Sequence, residues 1–308
     1  MRAFIFPGQG SQTVGMGTAL AGASRMARDV FDEVDQALGQ NLFRLMREGP
    51  DEELKLTENA QPAIMAHSIA VLRTMGVQLA EAANFVAGHS LGEYSALCAA
   101  GSFDLATTAK LLKLRGQAMQ RAVPVGEGAM AALLGADLAL AQKIADAAAK
   151  GEVCTVANDN DPSQVVISGS KTAIDRAIAI AKDMGAKRAV SLPVSAPFHC
   201  PLMQPAAEAM RDALGYVIVE QPAVPVFANV TAQPETDPDT IRSQLVEQVT
   251  GMVRWRESVA NMAAAGVHEF LELGGKVLGP MVKRIEPDAK VTSVVTMDDI
   301  EAIAKEIA

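Results

Sequence analysis

The sequence is poor in cysteine and in positive charge, and each shortage excludes a class of site. Its three cysteines, Cys98, Cys154 and Cys200, are an odd number at wide spacing, which predicts reduced thiols and neither a disulfide framework nor a bound metal. The chain has 27 Lys and Arg against 36 Asp and Glu, a formal net charge of -9. Nucleic acids and anionic membrane surfaces are bound by basic surfaces, so neither is an expected partner.

Long apolar runs and low-complexity tracts are also missing. No stretch of about 18 apolar residues occurs, and no apolar signal segment follows Met1. These absences predict a cytoplasmic protein. The 15 Pro and 24 Gly are spread along 308 residues of which 49% are hydrophobic, so we expect one large globular domain with a smaller inserted or appended one.

Strand and helix patterns alternate along most of the chain, which is typical of an α/β fold with a parallel sheet. In the first part we predict strands over 2–6 and 84–87, a glycine-rich loop over 7–12, and helices over 60–80, 91–100 and 102–121. In the last part we predict strands over 224–229 and 268–273, and helices over 204–214, 240–250, 256–265 and after Gly275.

The segment between residues 125 and 192 has a pattern of its own. It reads as strand 128–135, helix 138–150, strands 153–157 and 164–169, helix 171–185 and strand 187–194. That β-α-β-β-α-β order is typical of a ferredoxin-like unit. We therefore expect a large α/β-hydrolase-like domain, residues 1–124 and 193–308, with a ferredoxin-like subdomain inserted at 125–192.

The strongest chemical motif is Gly88-His89-Ser90-Leu91-Gly92, between a predicted strand and a predicted helix. In a Gly-x-Ser-x-Gly elbow the serine occupies a sharp strand-to-helix turn, where its hydroxyl is exposed for nucleophilic attack. N–H groups at the start of the helix point to the same place and can stabilise an oxyanion. Ser90 is therefore the candidate nucleophile for acyl transfer or hydrolysis.

A serine nucleophile needs a base, and the chain offers four histidines. His67 lies in an apolar helix, His268 opens a strand, and His89 is adjacent to Ser90, so packing or hydrogen-bonding roles are expected for these three. His199 lies on a loop between two prolines and is the best candidate base. A Cys200–His199 pair is the weaker alternative, because neighbours in an extended segment point to opposite sides.

The residue that orients His199 stays open at this level. Asp159 and Asp161 lie between the serine and the histidine in the chain, but neither is well placed in the predicted subdomain. A backbone carbonyl or amide can do the same work.

Arg115 lies on the apolar face of its predicted helix, with Leu111, Leu112, Ala118 and Met119. Its guanidinium stays charged, so burial requires an anionic or carbonyl partner. One interpretation is an internal ion pair. The other is bidentate capture of a substrate carboxylate next to the nucleophile.

Several motifs together resemble the malonyl-CoA:acyl carrier protein transacylase family, the acyltransferases of type II fatty-acid synthesis. They run in family order along nearly the whole chain: Phe6-Pro7-Gly8-Gln9-Gly10-Ser11-Gln12, Gln61-Pro62-Ala63, Gly88 through Leu97, Arg115-Gly116-Gln117-Ala118-Met119-Gln120, Ala157-Asn158-Asp159-Asn160, Gln164 through Gly169, and Phe198-His199.

The resemblance implies a ping-pong transfer of a malonyl group from malonyl-CoA to acyl carrier protein, with no bound cofactor. It implies Ser90 as nucleophile, His199 as base, the N–H groups of Gln9 and Leu91 as oxyanion hole, and Arg115 as the malonyl carboxylate partner. It also implies that the Gln248 carbonyl orients His199, that Gln61 lines the pocket, and that Phe198 crowds an α-methyl group.

Acyl carrier proteins are acidic, so a docking surface on this acidic chain must be locally basic. The candidates are Lys187-Arg188 and Lys276 with Lys283-Arg284. A serine hydrolase with the same elbow, and a noncatalytic protein that kept the fold, are the competing interpretations.

Overall fold

The computed structural model describes residues 1–194 and 196–307, and most of them form two β-sheets with flanking helices. The helices of the first part are α1 (Thr18–Ala23), α2 (Arg25–Leu38), α3 (Leu42–Glu48), α4 (Asp51–Lys55), α5 (Thr57–Met75), α6 (Leu79–Ala82), α7 (Leu91–Ala99) and α8 (Leu105–Ala122). After residue 200 come a short 3-10 helix (Pro201–Met203), α11 (Gln204–Gly215), α12 (Pro238–Glu247), α13 (Trp255–Ala264), α14 (Leu278–Ile285) and α15 (Met297–Ile307). None of the described helices is long and apolar enough to cross a membrane.

The larger sheet has six strands in the order β10-β9-β1-β2-β7-β8. These are β1 (Arg2–Phe6), β2 (Phe85–Gly88), β7 (Val226–Phe227), β8 (Pro234–Glu235), β9 (Glu269–Leu273) and β10 (Lys290–Val294). The first five strands in this order are parallel, and only β8 is antiparallel to its neighbour. The predicted α/β fold with a parallel sheet is therefore confirmed.

Helices cover both faces of this sheet, and β1 shows why its sequence is apolar throughout. Successive side chains of a strand point to opposite faces. Phe4 and Phe6 pack into the core formed with α2, α5, α8 and α11, whereas Ala3 and Ile5 pack into the core formed with α13 and α14. A strand buried on both faces has no exposed position for a polar residue.

The smaller sheet is antiparallel, with strands in the order β4-β5-β3-β6. Its elements are β3 (Gly128–Leu134), α9 (Leu138–Ala149), β4 (Cys154–Asp161), β5 (Gln164–Ser170), α10 (Lys171–Ala181) and β6 (Arg188–Ser191). It has an apolar core of its own with α9 and α10. The predicted β-α-β-β-α-β order of this segment is confirmed.

Several predicted boundaries were wrong, each for a local reason. The helix predicted over 60–80 ends at Met75 because Gly76 adopts a left-handed conformation with φ 66. The strand predicted over 224–229 has only two residues, Val226 and Phe227, in the ladder. Strand β4 continues past residue 157 to Asp161 through two irregularities of its pairing with β5.

Candidate active site

Ser90 occupies the turn between β2, which ends at Gly88, and α7, which begins at Leu91. Its backbone has φ 54 and ψ -111, a strained conformation for a residue with a side chain. The space beside the two flanking glycines, Gly88 and Gly92, is too small for any side chain. A Cβ atom on Gly88 would lie 1.9 Å from the Gly92 carbonyl, and one on Gly92 would lie 2.2 Å from the Phe6 oxygen.

The hydroxyl of Ser90 is directly hydrogen bonded to the base predicted for it. Ser90 Oγ lies 2.7 Å from His199 Nε2, and His199 Nδ1 lies 2.8 Å from the main-chain oxygen of Gln248. A carbonyl only accepts, so Nδ1 carries the proton and Nε2 accepts from the serine. The Gly251 carbonyl is a second acceptor for Nδ1, at 3.2 Å.

The two aspartates considered as orienting acids are engaged elsewhere. Asp159 pairs with Arg256 and Asp161 pairs with Arg284, at 2.8 Å in each case. Both pairs join β4 of the smaller sheet to helices beside the larger sheet, α13 or α14. A backbone carbonyl therefore occupies the position that an acid has in a Ser-His-Asp triad.

His199 is neutral at physiological pH in this environment. Burial, and after it the positive charge of Arg115, lowers the pKa of its imidazole from 6.5 to about 3. Hydrogen bonds to the Gln248 and Gly251 carbonyls act in the opposite direction but are weaker. The Nε2 lone pair is consequently available to accept the Ser90 proton.

Arg115 is 1% exposed and reaches the nucleophile from helix α8. Its Nη2 donates to Ser90 Oγ at 3.2 Å and to Gln248 Oε1 at 2.9 Å, and its Nη1 donates to Gln61 Oε1 at 2.7 Å. Helix α8 is fixed at its start by Asp104, whose side chain accepts from the Thr107 N–H.

Arg115 carries a positive charge in the interior. Among the described residues it is in no ion pair, and its buried Nε has no hydrogen-bond acceptor. The internal ion pair that the sequence left open is therefore absent from this part of the chain. A buried guanidinium without an ion pair is an unusual feature in a protein interior.

A cavity of about 420 Å³ opens above the serine. It is lined by every residue that the resemblance assigned to the substrate or the oxyanion, Gln9, Gln61, Ser90, Leu91, Arg115 and Phe198, together with His199. Leu91 is the first residue of α7, where a helix has no acceptor of its own for the N–H group. Gln248 lies beneath the cavity and does not line it.

The residues with expected structural roles are hydrogen bonded to groups other than Ser90 and His199, although His89 also lines the cavity. His67 is buried against the Gly274 carbonyl, 3.2 Å from its Nδ1. His89 Nε2 lies 2.8 Å from Asn160 Oδ1, and His268 is at the surface beside the terminal amine. Cys200 is fully buried, its thiol donates to the Pro197 carbonyl, and burial raises its pKa.

Two residues that the sequence reasoning missed complete the site. Glu93 and Asn229 are both buried and connect Ser90 with Gln248 by hydrogen bonds. Glu93 carried a signal, since it is the only charged residue of the apolar helix α7. Asn229 follows the two-residue strand β7, and nothing in the sequence distinguishes it.

Within the described residues, no group of three or more His, Cys, Asp or Glu could hold a metal ion.

Comparison with known proteins agrees with this geometry. A family model described as acyl transferase domain matches residues 3–276. The malonyl CoA-acyl carrier protein transacylase of Escherichia coli strain K12 is 48% identical over 284 residues, 92% of each chain. The structure of an acyl-carrier-protein-S-malonyltransferase from Bartonella henselae matches with a TM-score of 0.97 and 52% identity over 99% of both chains. A malonyl-transacylase solved in complex with a type II PKS acyl-carrier protein matches with a TM-score of 0.96 and 40% identity, again over 99% of both chains. The resemblance drawn from the motifs is confirmed, and the chain belongs to the acyl transferase family, among the malonyl CoA-acyl carrier protein transacylases.

Proposed function

We propose that this acyltransferase moves a malonyl group from malonyl-CoA to the phosphopantetheine thiol of an acyl carrier protein, through a malonyl ester on Ser90, in fatty-acid biosynthesis. The observation that carries the proposal is the juxtaposition of a hydrogen-bonded Ser90–His199 pair with the buried guanidinium of Arg115, which is in no ion pair among the described residues. The first supplies acyl transfer, and the second selects an acyl group that carries a negative charge.

In the first half-reaction, His199 Nε2 takes the proton of Ser90 as the serine oxygen attacks the thioester carbonyl. The N–H groups of Leu91 and Gln9 stabilise the oxyanion. The carbon–sulfur bond then breaks, and the coenzyme A sulfur takes the proton from His199. In the second half-reaction the carrier thiol gives its proton to His199 and attacks the ester, and Ser90 leaves with that proton.

Arg115 holds the malonyl carboxylate beside the reacting carbon in this scheme, and Gln61 holds Arg115. The guanidinium has five N–H donors, and three of its hydrogen bonds go to Gln61, Ser90 and Gln248. The Nη2 group, which contacts Ser90 Oγ, is the part of the guanidinium next to the reacting oxygen. A hydrogen bond to a charged group stabilises by about 1.5–3 kcal/mol, enough to favour malonyl over acetyl.

Phe198 is the residue that we propose to exclude a branched acyl group. Its side chain is almost buried in the cavity wall, next to the base. An α-methyl group that meets this ring would lose about 1–3 kcal/mol of binding.

The proposed architecture is an α/β-hydrolase-like domain, residues 1–124 and 193–308, with a ferredoxin-like subdomain at 125–192. The antiparallel order β4-β5-β3-β6, with two helices between the strands, supports the second part. Met130, Asn158 and Leu192 from that segment line the cavity, so the subdomain would form one wall of the cleft.

The proposed partner is an acidic acyl carrier protein. The related malonyl-transacylase in complex with an acyl-carrier protein supports this. Of the basic residues considered for docking, Arg284 pairs with Asp161, which leaves less of its charge for a partner than Lys187, Arg188 and Lys276 have. The cytoplasmic location expected from the sequence stays a prediction.

Intact-mass spectrometry after brief exposure to malonyl-CoA tests the proposal. We expect the mass of one malonyl group on the wild type and on Ser95→Ala, and none on Ser90→Ala. Ser95 is the matched control, because it is a buried serine of the same helix α7. No adduct on the wild type, or an adduct that survives Ser90→Ala, would refute the assignment.

Reactions with and without an acyl carrier protein distinguish transfer of the malonyl group from its hydrolysis. With a carrier protein present, malonyl should move from Ser90 to the carrier. Without it, the malonyl-enzyme should persist. Rapid release of free malonate in the absence of carrier would identify a hydrolase instead.

A further inference from the structure

We propose that Glu93 is a positioning residue for acyl transfer, because its carboxylate fixes the Gln248 amide and Asn229 and, through them, the contacts of His199, Arg115 and Ser90. This inference rests on the acyl transfer at Ser90 proposed above. It concerns a residue that does not line the cavity, and it explains why a carboxylate is buried beneath the nucleophile.

The first part of the argument is the orientation of the Gln248 side chain. Its Oε1 accepts from Arg115 Nη2 at 2.9 Å, and its Nε2 donates to Glu93 Oε2 at 2.8 Å and to the Ser90 carbonyl at 3.0 Å. A guanidinium only donates, and Glu93 Oε2 is an acceptor here, because it also receives the Asn229 N–H. Between these two groups the amide has one orientation that satisfies both ends. Glu93 therefore keeps the amide oxygen facing Arg115.

The same residue presents its main-chain carbonyl to the base. Gln248 directly follows helix α12, and its carbonyl oxygen lies 2.8 Å from His199 Nδ1. A fixed side chain limits the movement of the backbone to which it is attached. One anchored glutamine thus sets both the tautomer of His199 and the position of Arg115.

The second part of the argument is Asn229. Its backbone N–H donates to the same Glu93 oxygen at 3.0 Å. Its side chain accepts from the Ser90 N–H at 2.8 Å and donates to the Gly88 carbonyl at 2.7 Å. Asn229 therefore clamps both sides of the strained elbow, and Glu93 fixes its backbone N–H just past the two-residue strand β7.

The environment of Glu93 shows that it is not a simple ion-pair partner. The residue is 3% exposed, in the first turn of α7, and it is in no ion pair among the described residues. Burial raises the pKa of Glu93 to about 7, although the Asn229 and Gln248 hydrogen bonds and the charge of Arg115 lower it. Burial destabilises the ionised form of this carboxyl group, and groups with such shifted pKa values are concentrated at functional sites.

The test compares single-turnover acylation of Ser90 in Glu93→Gln with that in Glu272→Gln. The first substitution keeps the size of the side chain but replaces an acceptor by a group that also donates. Glu272 is the matched control, since it is buried and accepts N–H groups of Val277, Leu278 and Gly279 away from the cavity. At saturating malonyl-CoA we expect acylation to fall about 10- to 100-fold in Glu93→Gln and to stay within about twofold of wild type in Glu272→Gln.

Wild-type acylation in Glu93→Gln, or an equal fall in both variants, would overturn the proposal. If Glu93→Gln does not fold, Glu93→Asp is measured in its place, because it keeps the carboxylate but moves it out of reach of Gln248. Absence of any malonyl adduct on the wild type would instead refute the proposed function, so the two failures are distinguishable.

A double-mutant cycle with Gln248→Ala tests the route. Because Glu93 acts partly through the Gln248 amide and partly through Asn229, the loss in the double variant should be smaller than the sum of the two single losses. Fully additive losses would show that Glu93 does not act through Gln248.

Discussion

Arg115 and Glu93 place a guanidinium and a carboxyl group in neighbouring helices, both buried, and yet the two groups form no direct ion pair. Each is instead linked to the amide of Gln248, Arg115 through the oxygen and Glu93 through the nitrogen. A direct ion pair would neutralise the guanidinium before any substrate arrived. The intervening amide holds Arg115 in place and keeps Glu93 at a distance from which the two groups still attract each other, without the direct contact that would occupy the guanidinium.

Arg115→Ala should therefore reduce acylation by malonyl-CoA more than acylation by acetyl-CoA. We expect the ratio of the two rates to fall about 10- to 100-fold, since a hydrogen bond to a charged group contributes about 1.5–3 kcal/mol. Rapid-quench measurement of the Ser90 adduct with each donor gives the ratio. Met130→Ala, which removes an uncharged part of the cavity wall, should leave the ratio unchanged. Equal losses with both donors in Arg115→Ala would show that this arginine is structural.

At the scale of elements, the site depends on the close approach of α7 to β1 and β2. The helix can start directly above the sheet because Gly88 and Gly92 have no side chains between the backbones. This contact places Ser90 at the carboxyl end of parallel strands, where open α/β sheets bind their ligands. It also aligns the α7 N-terminus with the cavity.

Gly92→Ala should consequently damage both stability and acylation. The added methyl would lie 2.2 Å from the Phe6 oxygen, a backbone atom that cannot rotate away. Overpacking of this kind costs about 1–3 kcal/mol or more, and displacement of the elbow should slow acylation at least tenfold. Urea unfolding and single-turnover acylation measure the two effects.

Gly22→Ala is the control for that experiment. Gly22 lies in helix α1, and a Cβ atom there meets nothing within 4 Å. Alanine should stabilise the protein by up to about 1 kcal/mol and leave acylation unchanged. If Gly92→Ala behaves like Gly22→Ala, the close approach of α7 is not essential.

At the scale of the whole molecule, the cavity lies between the two sheets. Ser90 follows strand β2 of the larger sheet, and Met130 belongs to strand β3 of the smaller sheet. Ion pairs from Asp159 and Asp161 join β4 to α13 and α14, and Asn158 forms a β-bridge with Val253. These contacts fix the wall that carries Met130 relative to Ser90. They also explain why the two aspartates do not serve His199.

The stability of the whole molecule should fall in acid, in part because of His67. Burial lowers the pKa of His67 from 6.5 to about 4, so the unfolded chain binds more protons than the folded chain between these values. The contribution of neutral His67 is complete above pH 6.5 and is lost as the pH falls toward 4. Between pH 7 and pH 5 this amounts to about 2 kcal/mol.

His67→Gln should remove that part of the acid sensitivity. Its free energy of unfolding, measured with urea at pH 7 and pH 5, should drop by about 2 kcal/mol less than that of the wild type. Ser68→Ala, a neighbouring buried change without a titratable group, should show the wild-type pH dependence. The same pH dependence in His67→Gln and wild type would contradict a buried neutral imidazole.

The sequence by itself determined the features that depend on local pattern. Spacing and side-chain chemistry within short segments predicted the alternating strands and helices and the elbow around Ser90. They also indicated His199 as the candidate base and placed the charged Arg115 on an apolar helix face. Long elements such as α8 and α11 were predicted well, because their amphipathic periodicity is strong. The two-residue strand β7 was overpredicted, because its pairing is set by neighbours and not by its own residues.

Only the tertiary structure decided how those residues work together. The resemblance named Gln248, but its amide contact with Arg115, and the roles of Glu93 and Asn229, depend on where distant segments meet. Glu93 is 136 positions from Asn229 and 155 from Gln248. Hydrogen bonds over such separations leave no periodic signal in the chain. Their geometry is set when the α7 elbow, the end of β7 and the end of α12 pack around one buried carboxylate.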